Sequence, residues 1–347
     1  MESISELIGK ARAAQAEFEK TATQESVDAI VKAIAKVIYD NADPLAKMAA
    51  EESGMGVYED KINKNKGKAR VIWNFLKDKK SVGVINRDEK TCITEVARPM
   101  GVIAAITPCT NPIVTPMCNA MYAIKGRNAI IIAPHPRAKK CAKVVTDLFR
   151  KEIEKQGAPA DLVLLVEEPS TALSAELMSK CDVVVATGGM GMVKAAYSSG
   201  KPAYGVGAGN VQCIIDRGVN YAEAAPKIIE GRRFDNGIIC SGEQTIILPK
   251  EDYAEIIEIF VKNGCAYIEK PEDVEKLKKT LFTITETGGF AMNKNLVGQS
   301  AVKVAETAGI TVPADTKVLL VKADCCGRGD CLSKEKMCPV ISTYSYD

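Results

Sequence analysis

Cys240 lies in a sequence context that suits a nucleophilic thiol. Small or flexible pairs flank it, Asn236-Gly237 before and Ser241-Gly242 after, and the strand-like run Thr245–Pro249 follows. A thiolate that attacks a carbonyl must be exposed on one side, in a site closed to bulk water. A tight turn at the mouth of a strand provides that setting, so the segment predicts a catalytic cysteine. The alternative is one more buried small hydrophobe among the 12 cysteines of the chain.

Asn111 is a candidate partner of that thiol. It stands in the segment Thr107-Pro-Cys-Thr-Asn-Pro112, directly after the apolar run Gly101–Ile106. A side-chain amide is a good donor to a developing oxyanion, so Asn111 is a candidate for that role. The alternative is a simple Asn-Pro turn, which is the more frequent function of such a pair. Thr107 and Pro108, at the predicted strand end, are candidates to contact a cofactor.

A glycine-rich segment follows a second apolar run and opens a predicted helix. It reads Thr187-Gly188-Gly189-Met190-Gly191. Glycines at such a point let backbone N–H groups approach a phosphate at the positive end of a helix. The segment lacks the G-x-G-x-x-G spacing, and the alternative is an ordinary turn between a strand and a helix.

His135, Pro136 and Arg137 follow the apolar run Asn128–Ala133, at the edge where such sheets bind ligands. Arg137 and the two lysines after it could meet a phosphate, or they could form a solvated helix face. His135 is the one histidine of the chain. Its place beside a predicted nucleotide groove favours stacking over proton transfer.

The elements that position these residues follow from the spacing of the apolar positions. Helical periodicity predicts helices over residues 3–77. In the last of them, Tyr58–Lys77, four apolar side chains are expected to pack inward: Ile62, Val71, Ile72 and Phe75. The alternating segment 82–98 predicts a polar-faced hairpin.

Continuous apolar runs alternate with helical stretches from Gly101 onward, as in strands buried on both faces. This alternation predicts right-handed crossovers and an α/β fold with a parallel, doubly wound sheet. A second alternating block begins after Gly205. We place the domain boundary just before Gly231, with a dinucleotide-binding domain over 1–230 and a catalytic α/β domain over 231–347.

Composition narrows the range of partners. The chain has 46 basic and 44 acidic residues and a net charge of +2, which gives no reason to expect nucleic acid or a membrane surface. No signal peptide and no membrane-spanning run are recognisable, so we expect a cytoplasmic protein with free thiols. Four late cysteines lack paired C-x-x-C spacing, so we expect no metal site: Cys325, Cys326, Cys331 and Cys338.

Four segments in combination resemble the CoA-acylating branch of the aldehyde dehydrogenase superfamily, and most closely its CoA-dependent succinate-semialdehyde dehydrogenases. They are Gly101–Pro116, Ala133–Ala138, Tyr204–Asn210 and Asp235–Gln244, and the similarity runs along essentially the whole chain. The resemblance implies a Rossmann-type cofactor domain, a catalytic α/β domain, and the use of NADP or NAD with coenzyme A as co-substrate. It also implies a homodimer or higher homo-oligomer.

The resemblance also implies individual roles. Cys240 matches the nucleophile, and Asn111 matches the side chain that holds the oxyanion together with the Cys240 N–H. The turn Thr187–Gly191 matches the segment under the cofactor pyrophosphate, and Glu335 matches the glutamate that binds the nicotinamide ribose. The hairpin near 82–98 is similar to the arm through which subunits pair.

Val206 marks an informative departure from the hydrolytic relatives. Those enzymes carry a glutamate that activates water, whereas this chain reads Val206-Gly207-Ala-Gly-Asn210, and we assign Val206 and Gly207 to the cofactor site. A thioester on Cys240 without a base to deprotonate water should persist until the thiol of coenzyme A removes the acyl group. We therefore expect reversible conversion of an aldehyde, coenzyme A and NAD(P)+ to acyl-CoA and NAD(P)H. Succinate semialdehyde is the expected substrate, with acetaldehyde or another short aldehyde as the alternative.

Two further expectations concern the cofactor and the end of the chain. The basic residues after Pro136 would tolerate the 2′-phosphate of NADP, and no acidic residue is evident there to reject it. The family continues past Asp347, so we expect a C-terminally incomplete catalytic domain. The alternative class of function is therefore an inactive nucleotide- or CoA-binding module.

Overall fold

The computed structural model describes residues 2–286, 288–327 and 329–347. Its contacts divide the chain into two compact units. The first comprises the chain up to Ser53 together with Lys61–Gly207, and the second comprises Gly54–Asp60 and Ala208–Asp347. No helix within the described ranges is both long and apolar enough to cross a membrane.

The N-terminal part is helical, as predicted. It forms α1 (Ile4–Thr21), α2 (Gln24–Asp40), α3 (Ala42–Ser53) and α4 (Tyr58–Leu76). Ser3 begins α1 with a capping box, in which its side chain accepts the Glu6 N–H and the Glu6 carboxylate accepts the Ser3 N–H. The apolar faces of α1 and α2 lie in the core of the first unit.

The packing predicted for α4 is wrong for two of its four apolar residues, while Ile72 packs against the core of the first unit. Val71 and Phe75 are more than half exposed, at 57% and 58%. Much of the buried face of this helix is polar instead, because it contains Lys61, Lys64 and Asn65. The spacing of apolar residues predicts a helix, but it does not indicate that polar partners lie on the buried side of that helix.

A two-stranded antiparallel hairpin follows, formed by β1 (Gly83–Asp88) and β2 (Ile93–Ala97). Its apolar side chains Val84, Ile93 and Val96 are between 42% and 57% exposed. The alternating sequence thus gives a hairpin, as predicted.

The sheet of the first unit is entirely parallel. Its strands are β3 (Val102–Thr107), β4 (Ala129–Pro134), β5 (Val163–Leu165), β6 (Val183–Thr187) and β7 (Ala203–Val206), in the order β5-β4-β3-β6-β7. The connecting helices are α5 (Val114–Lys125), α6 (Lys139–Lys155), α7 (Thr171–Lys180) and α8 (Met190–Tyr197). The strand order reverses between β3 and β6, and doubly wound sheets bind ligands at the carboxyl ends of the strands beside such a reversal.

The second unit contains another parallel sheet. Its strands are β8 (Val211–Ile214), β9 (Glu243–Pro249), β10 (Cys265–Ile268), β13 (Val318–Lys322) and β14 (Val340–Tyr346), in the order β10-β13-β14-β9-β8. A small antiparallel pair stands between β10 and β13 in the chain, formed by β11 (Phe282–Ile284) and β12 (Phe290–Met292). The helices are α9 (Tyr221–Arg233), α10 (Tyr253–Lys262), α11 (Pro271–Leu281) and α12 (Ala301–Thr307). The predicted α/β class is confirmed.

The division between the units differs from the boundary predicted at Gly231. It falls between Gly207 and Ala208, because β8 pairs with β9 and therefore joins the second sheet. Apolar residues of α9 pack into the same core as β9 and α10. Because β8 and β9 are distant in sequence, their pairing leaves no recognisable pattern in the residues around the boundary.

Candidate active site

Two predicted cofactor segments lie side by side at the carboxyl edge of the first sheet. Thr107 ends β3 in register with Pro134, the last residue of β4. The N–H of His135 donates to the Thr107 carbonyl at 2.9 Å. Pro108 and Pro136 continue from these strand ends, so the segments beginning at Thr107 and His135 are neighbours, as the strand order requires.

The glycine turn and the Val206 segment lie together on the other side of the strand-order reversal. Thr187 is in register with Val206, and the Gly188 N–H donates to the Val206 carbonyl at 3.0 Å. Gly189 is the N-cap of α8, where no side chain caps the helix. A Cβ built on Gly207 would lie 2.7 Å from the sulfur of Met190, which is the end of a flexible and exposed side chain. Exposed Gly191 completes the turn in the first helical turn of α8.

These contacts fit a dinucleotide phosphate. Backbone N–H groups at the start of α8 have no side-chain cap, and the glycines leave open space around them. A phosphate at this position would meet the positive end of the helix. The geometry is compatible with the predicted phosphate site, which stays a prediction.

The basic segment after β4 has acidic partners that the sequence analysis did not find. The Glu52 carboxylate accepts the backbone N–H groups of Lys140 and Cys141 at 2.7 and 2.8 Å. Lys139 pairs with Glu168, and the Arg137 guanidinium donates to the Ser53 carbonyl at 2.8 Å. Acidic side chains therefore lie near this segment, although none is evident in the sequence beside it.

Asn111 lies in the loop that begins α5, and its amide is held by a lysine. The Lys64 ammonium donates to Asn111 Oδ1 at 2.9 Å. Asn111 Nδ2 has only a long contact of 3.4 Å with the Thr110 hydroxyl. The two side chains line a cleft with Lys61 and Asn65. Lys64 was not predicted from the sequence, because no local pattern indicates its distant partner Asn111.

Cys240 lies in the second unit, on an exposed turn between α9 and β9. The backbone before it is unusual, because Asp235, Asn236 and Gly237 all have positive φ, at 51°, 51° and 71°. Asp235 holds this conformation: its carboxylate accepts the Val57 N–H at 2.8 Å. A strained but anchored backbone of this kind is typical of functional turns.

Glu335 is joined to the Cys240 turn through Gly209. The Gly209 N–H donates to Glu335 Oε1 at 3.0 Å. A Cβ at Gly209 would lie 2.2 Å from the Cys240 carbonyl oxygen. Burial raises the pKa of Glu335 above its ordinary value, although the Gly209 N–H and the charges of Arg232 and Lys336 oppose the rise.

Two fully buried basic side chains, Arg232 and Lys336, lie near Glu335. Arg232 donates to the carbonyl oxygens of Lys336 and Cys338, which ties the end of α9 to the segment carrying Glu335. The Lys336 ammonium donates to the carbonyls of Leu332 at 2.7 Å and Lys334 at 3.1 Å. Burial, aided by the Arg232 charge, lowers the pKa of Lys336 to about 7. Neither residue was predicted from the sequence to have a role.

The predicted residues thus form two groups, one in each unit. The first unit contains Asn111 and the cofactor candidates from Thr107 to Gly207, and the second contains Cys240 and Glu335. Among the described residues, no three His, Cys, Asp or Glu side chains are grouped as a metal site would require.

Comparisons with known proteins agree with the motifs. The model of the aldehyde dehydrogenase family matches residues 1–274. The succinate-semialdehyde dehydrogenase (acetylating) of Clostridium kluyveri is 53% identical over 345 residues, which is 99% of this chain and 75% of the relative.

Two solved structures extend the comparison to the fold. An acetylating aldehyde dehydrogenase from Geobacillus thermoglucosidasius has a TM-score of 0.92 and 37% identity, covering 99% of this chain and 75% of its own. A Rhodopseudomonas palustris propionaldehyde dehydrogenase with bound propionyl-CoA has a TM-score of 0.83 and 30% identity, covering 100% and 75%. The chain belongs to the aldehyde dehydrogenase family, and within it to the acylating enzymes that its motifs resemble.

Proposed function

We propose that the protein oxidises a short aldehyde to the corresponding acyl-CoA with NAD(P)+, and catalyses the reverse reaction through the same groups. The first unit binds the dinucleotide, and the second supplies the nucleophile. The observation that carries this proposal is the exposed Cys240 thiol on a turn fixed by Asp235 and Gly209, in a chain with Val206 where hydrolytic relatives have a glutamate.

The first chemical step forms a bond between Cys240 and the aldehyde carbon. The thiolate attacks the carbonyl, and the carbonyl oxygen becomes an oxyanion. Asn111 Nδ2 and the backbone N–H of Cys240 donate to that oxygen, which stabilises the tetrahedral species as charge develops. Loss of hydride from the carbon then leaves a thioester on Cys240.

NAD(P)+, when bound, accepts this hydride. The segments that would hold it are the Thr187–Gly191 turn with Val206 and Gly207, the strand end at Thr107 and Pro108, and the His135–Arg137 segment. Glu335 is proposed to orient the nicotinamide ribose. The uncapped start of α8 and the open space at Gly189 and Gly191 support this assignment.

The second chemical step transfers the acyl group. The coenzyme A thiolate attacks the thioester carbon, and collapse of the second tetrahedral species expels the Cys240 thiolate and releases acyl-CoA. A thiol with an ordinary pKa is partly ionised near neutral pH, so it needs less assistance than water. Val206 carries no carboxylate that could deprotonate water, which favours transfer over hydrolysis.

Succinate semialdehyde is the proposed substrate. The similarity to the Clostridium kluyveri enzyme, at 53% identity, supports it. Acetaldehyde is the second candidate, supported by the similarity to the acetylating enzyme of Geobacillus thermoglucosidasius. We also propose that the hairpin of β1 and β2 pairs subunits in a homo-oligomer, since its apolar side chains are exposed in a single chain.

The proposal is tested by following NAD(P)H formation with each aldehyde, with and without coenzyme A. We expect turnover that requires coenzyme A and yields acyl-CoA, and a loss of about a thousandfold or more in Cys240→Ala. Cys325→Ala, which removes an exposed thiol outside the hairpin, is the matched control. Equal rates without coenzyme A would indicate a hydrolytic enzyme. Binding of NAD(P)+ and coenzyme A with no turnover would indicate an inactive binding module.

A further inference from the structure

Lys64 determines which way the amide of Asn111 faces. An amide side chain has one accepting oxygen and one donating nitrogen, and the two ends are nearly equal in shape. An ammonium group can only donate. Because the Lys64 ammonium lies 2.9 Å from Asn111 Oδ1, the amide oxygen must face the lysine and the NH2 group must face away from it.

We propose that Lys64 is a positioning residue for the reaction, which keeps Asn111 Nδ2 available as the oxyanion donor. This inference rests on the proposed function, in which Asn111 stabilises the oxyanion. A flipped amide would present its oxygen to the developing negative charge and would repel it. The lysine excludes that orientation, since its ammonium would then face the NH2 group of the asparagine.

The lysine is itself held firmly. Lys64 is only 6% exposed, and its neighbours on the inward face of α4, Lys61 and Asn65, are 4% and 3% exposed. Asn65 Nδ2 donates to the Ala42 carbonyl at 3.1 Å, which anchors α4 at this level. Little freedom therefore remains for the lysine to move away from Asn111.

The buried charge has a second effect on the amide. A cation at the carbonyl oxygen polarises the amide and makes its N–H groups better donors, and a low local dielectric strengthens this effect. Burying a lysine is otherwise unfavourable. The Asn111 amide oxygen is one partner of the buried Lys64 ammonium, and this contact places the cation next to the proposed oxyanion donor.

A set of four proteins tests the inference: the wild type, Lys64→Met, Asn111→Ala and the double variant. We measure kcat and KM for aldehyde oxidation with saturating NAD(P)+ and coenzyme A. Asn111→Ala should lower kcat about 100- to 1000-fold. Lys64→Met should lower kcat about 10- to 100-fold with little change in KM. The double variant should be no slower than Asn111→Ala, because the lysine acts only through the asparagine.

Two further variants separate positioning from folding. Lys64→Gln is one bond shorter but stays polar, and it can accept as well as donate, so it permits the flipped amide and should also lower kcat. Lys64→Arg still only donates and should recover part of the loss. Lys68→Met, an exposed change one helical turn later, is the matched control and should retain full activity.

The outcomes are distinguishable. Unchanged kcat in both Lys64→Met and Lys64→Gln would overturn the inference, as would losses that multiply in the double variant. If Lys64→Met fails to fold, the comparison of Lys64→Gln with Lys64→Arg tests the inference instead. Equal kcat in these two variants would overturn the inference. Unchanged kcat in Asn111→Ala would instead refute the oxyanion role in the proposed function.

Discussion

The backbone of Cys240 leaves no room for a side chain at Gly209. A Cβ built on Gly209 would lie 2.2 Å from the Cys240 carbonyl oxygen and 3.1 Å from its Cα. The N–H of the same glycine donates to Glu335 Oε1 at 3.0 Å. Gly209 therefore lies between the backbone of Cys240, the proposed nucleophile, and the carboxylate of Glu335, the proposed partner of the nicotinamide ribose.

Gly209→Ala should displace the Cys240 turn and lower kcat about 100-fold, because small misplacements of reacting groups have effects of that size. The measurement is kcat for acyl-CoA formation, with the rate of Cys240 alkylation as a second readout of the thiol environment. Gly9→Ala places the same methyl group where nothing lies within 4 Å and should retain activity. Wild-type kcat in Gly209→Ala would show that the turn tolerates displacement.

Much of the fold could be predicted from the sequence, since continuous apolar runs alternating with helices have few other solutions. Val183–Thr187 and Ala129–Pro134 are examples of strands that their sequence alone indicates. The polar inward face of α4 could not be predicted, because Lys64 is stabilised by Asn111, a residue distant in sequence. A local pattern contains no information about such a partner.

The candidate site was predictable to a similar extent. Strand ends brought Thr107 and His135 together, as expected for neighbouring parallel strands. Glu52 was missed because it comes from the end of α3 and meets the start of α6 only in the folded chain. Arg232 and Lys336 were missed because basic residues in a sequence are normally interpreted as solvated.

Val206→Glu should allow water to compete with coenzyme A. The change introduces a carboxylate at the position that matches the water-activating glutamate of hydrolytic relatives. We expect NAD(P)H formation in the absence of coenzyme A to rise at least about tenfold, with free acid as the product. Val206→Gln is the matched control, since it adds a side chain of the same size that cannot act as a base. Equal behaviour of the two variants would contradict the role assigned to the missing carboxylate.

Glu52→Gln should shift the cofactor preference toward NADP. The Glu52 carboxylate accepts the N–H groups of Lys140 and Cys141, close to the segment proposed to hold the cofactor. Its negative charge would repel a 2′-phosphate, whereas glutamine removes the charge and keeps one of the two accepting oxygens. We expect the ratio of kcat/KM for NADP to that for NAD to rise about tenfold, equivalent to ~1.4 kcal/mol.

The control for this prediction is Glu176→Gln, which removes a carboxylate from the exposed face of α7. It should leave the cofactor ratio unchanged. An unchanged ratio in Glu52→Gln would place the 2′ position of the adenosine ribose away from Glu52.

Lys336 should make the stability of the protein depend on pH. Burial lowers its pKa from 10.5 to about 7 in the folded chain. Between these values the unfolded chain holds the proton and the folded chain does not, so the free energy of unfolding rises with pH. Below about pH 7 both states are protonated, and the penalty for burying the charge is fully present.

Lys336→Met removes this dependence. The free energy of unfolding of the wild type minus that of Lys336→Met should rise from pH 7 toward 10.5, by at most about 1.4 kcal/mol per pH unit. Urea unfolding at several pH values, with a reductant present, measures the difference. Subtracting the two free energies of unfolding removes the contribution of groups whose titration the substitution leaves unchanged. The neighbouring Arg232 and Cys338 charges are expected to broaden the pH range over which the difference changes. Lys322→Met, at an exposed position, is the control, and the free-energy difference between it and the wild type should not vary with pH. If the difference for Lys336→Met is equally independent of pH, the buried ammonium keeps an ordinary pKa.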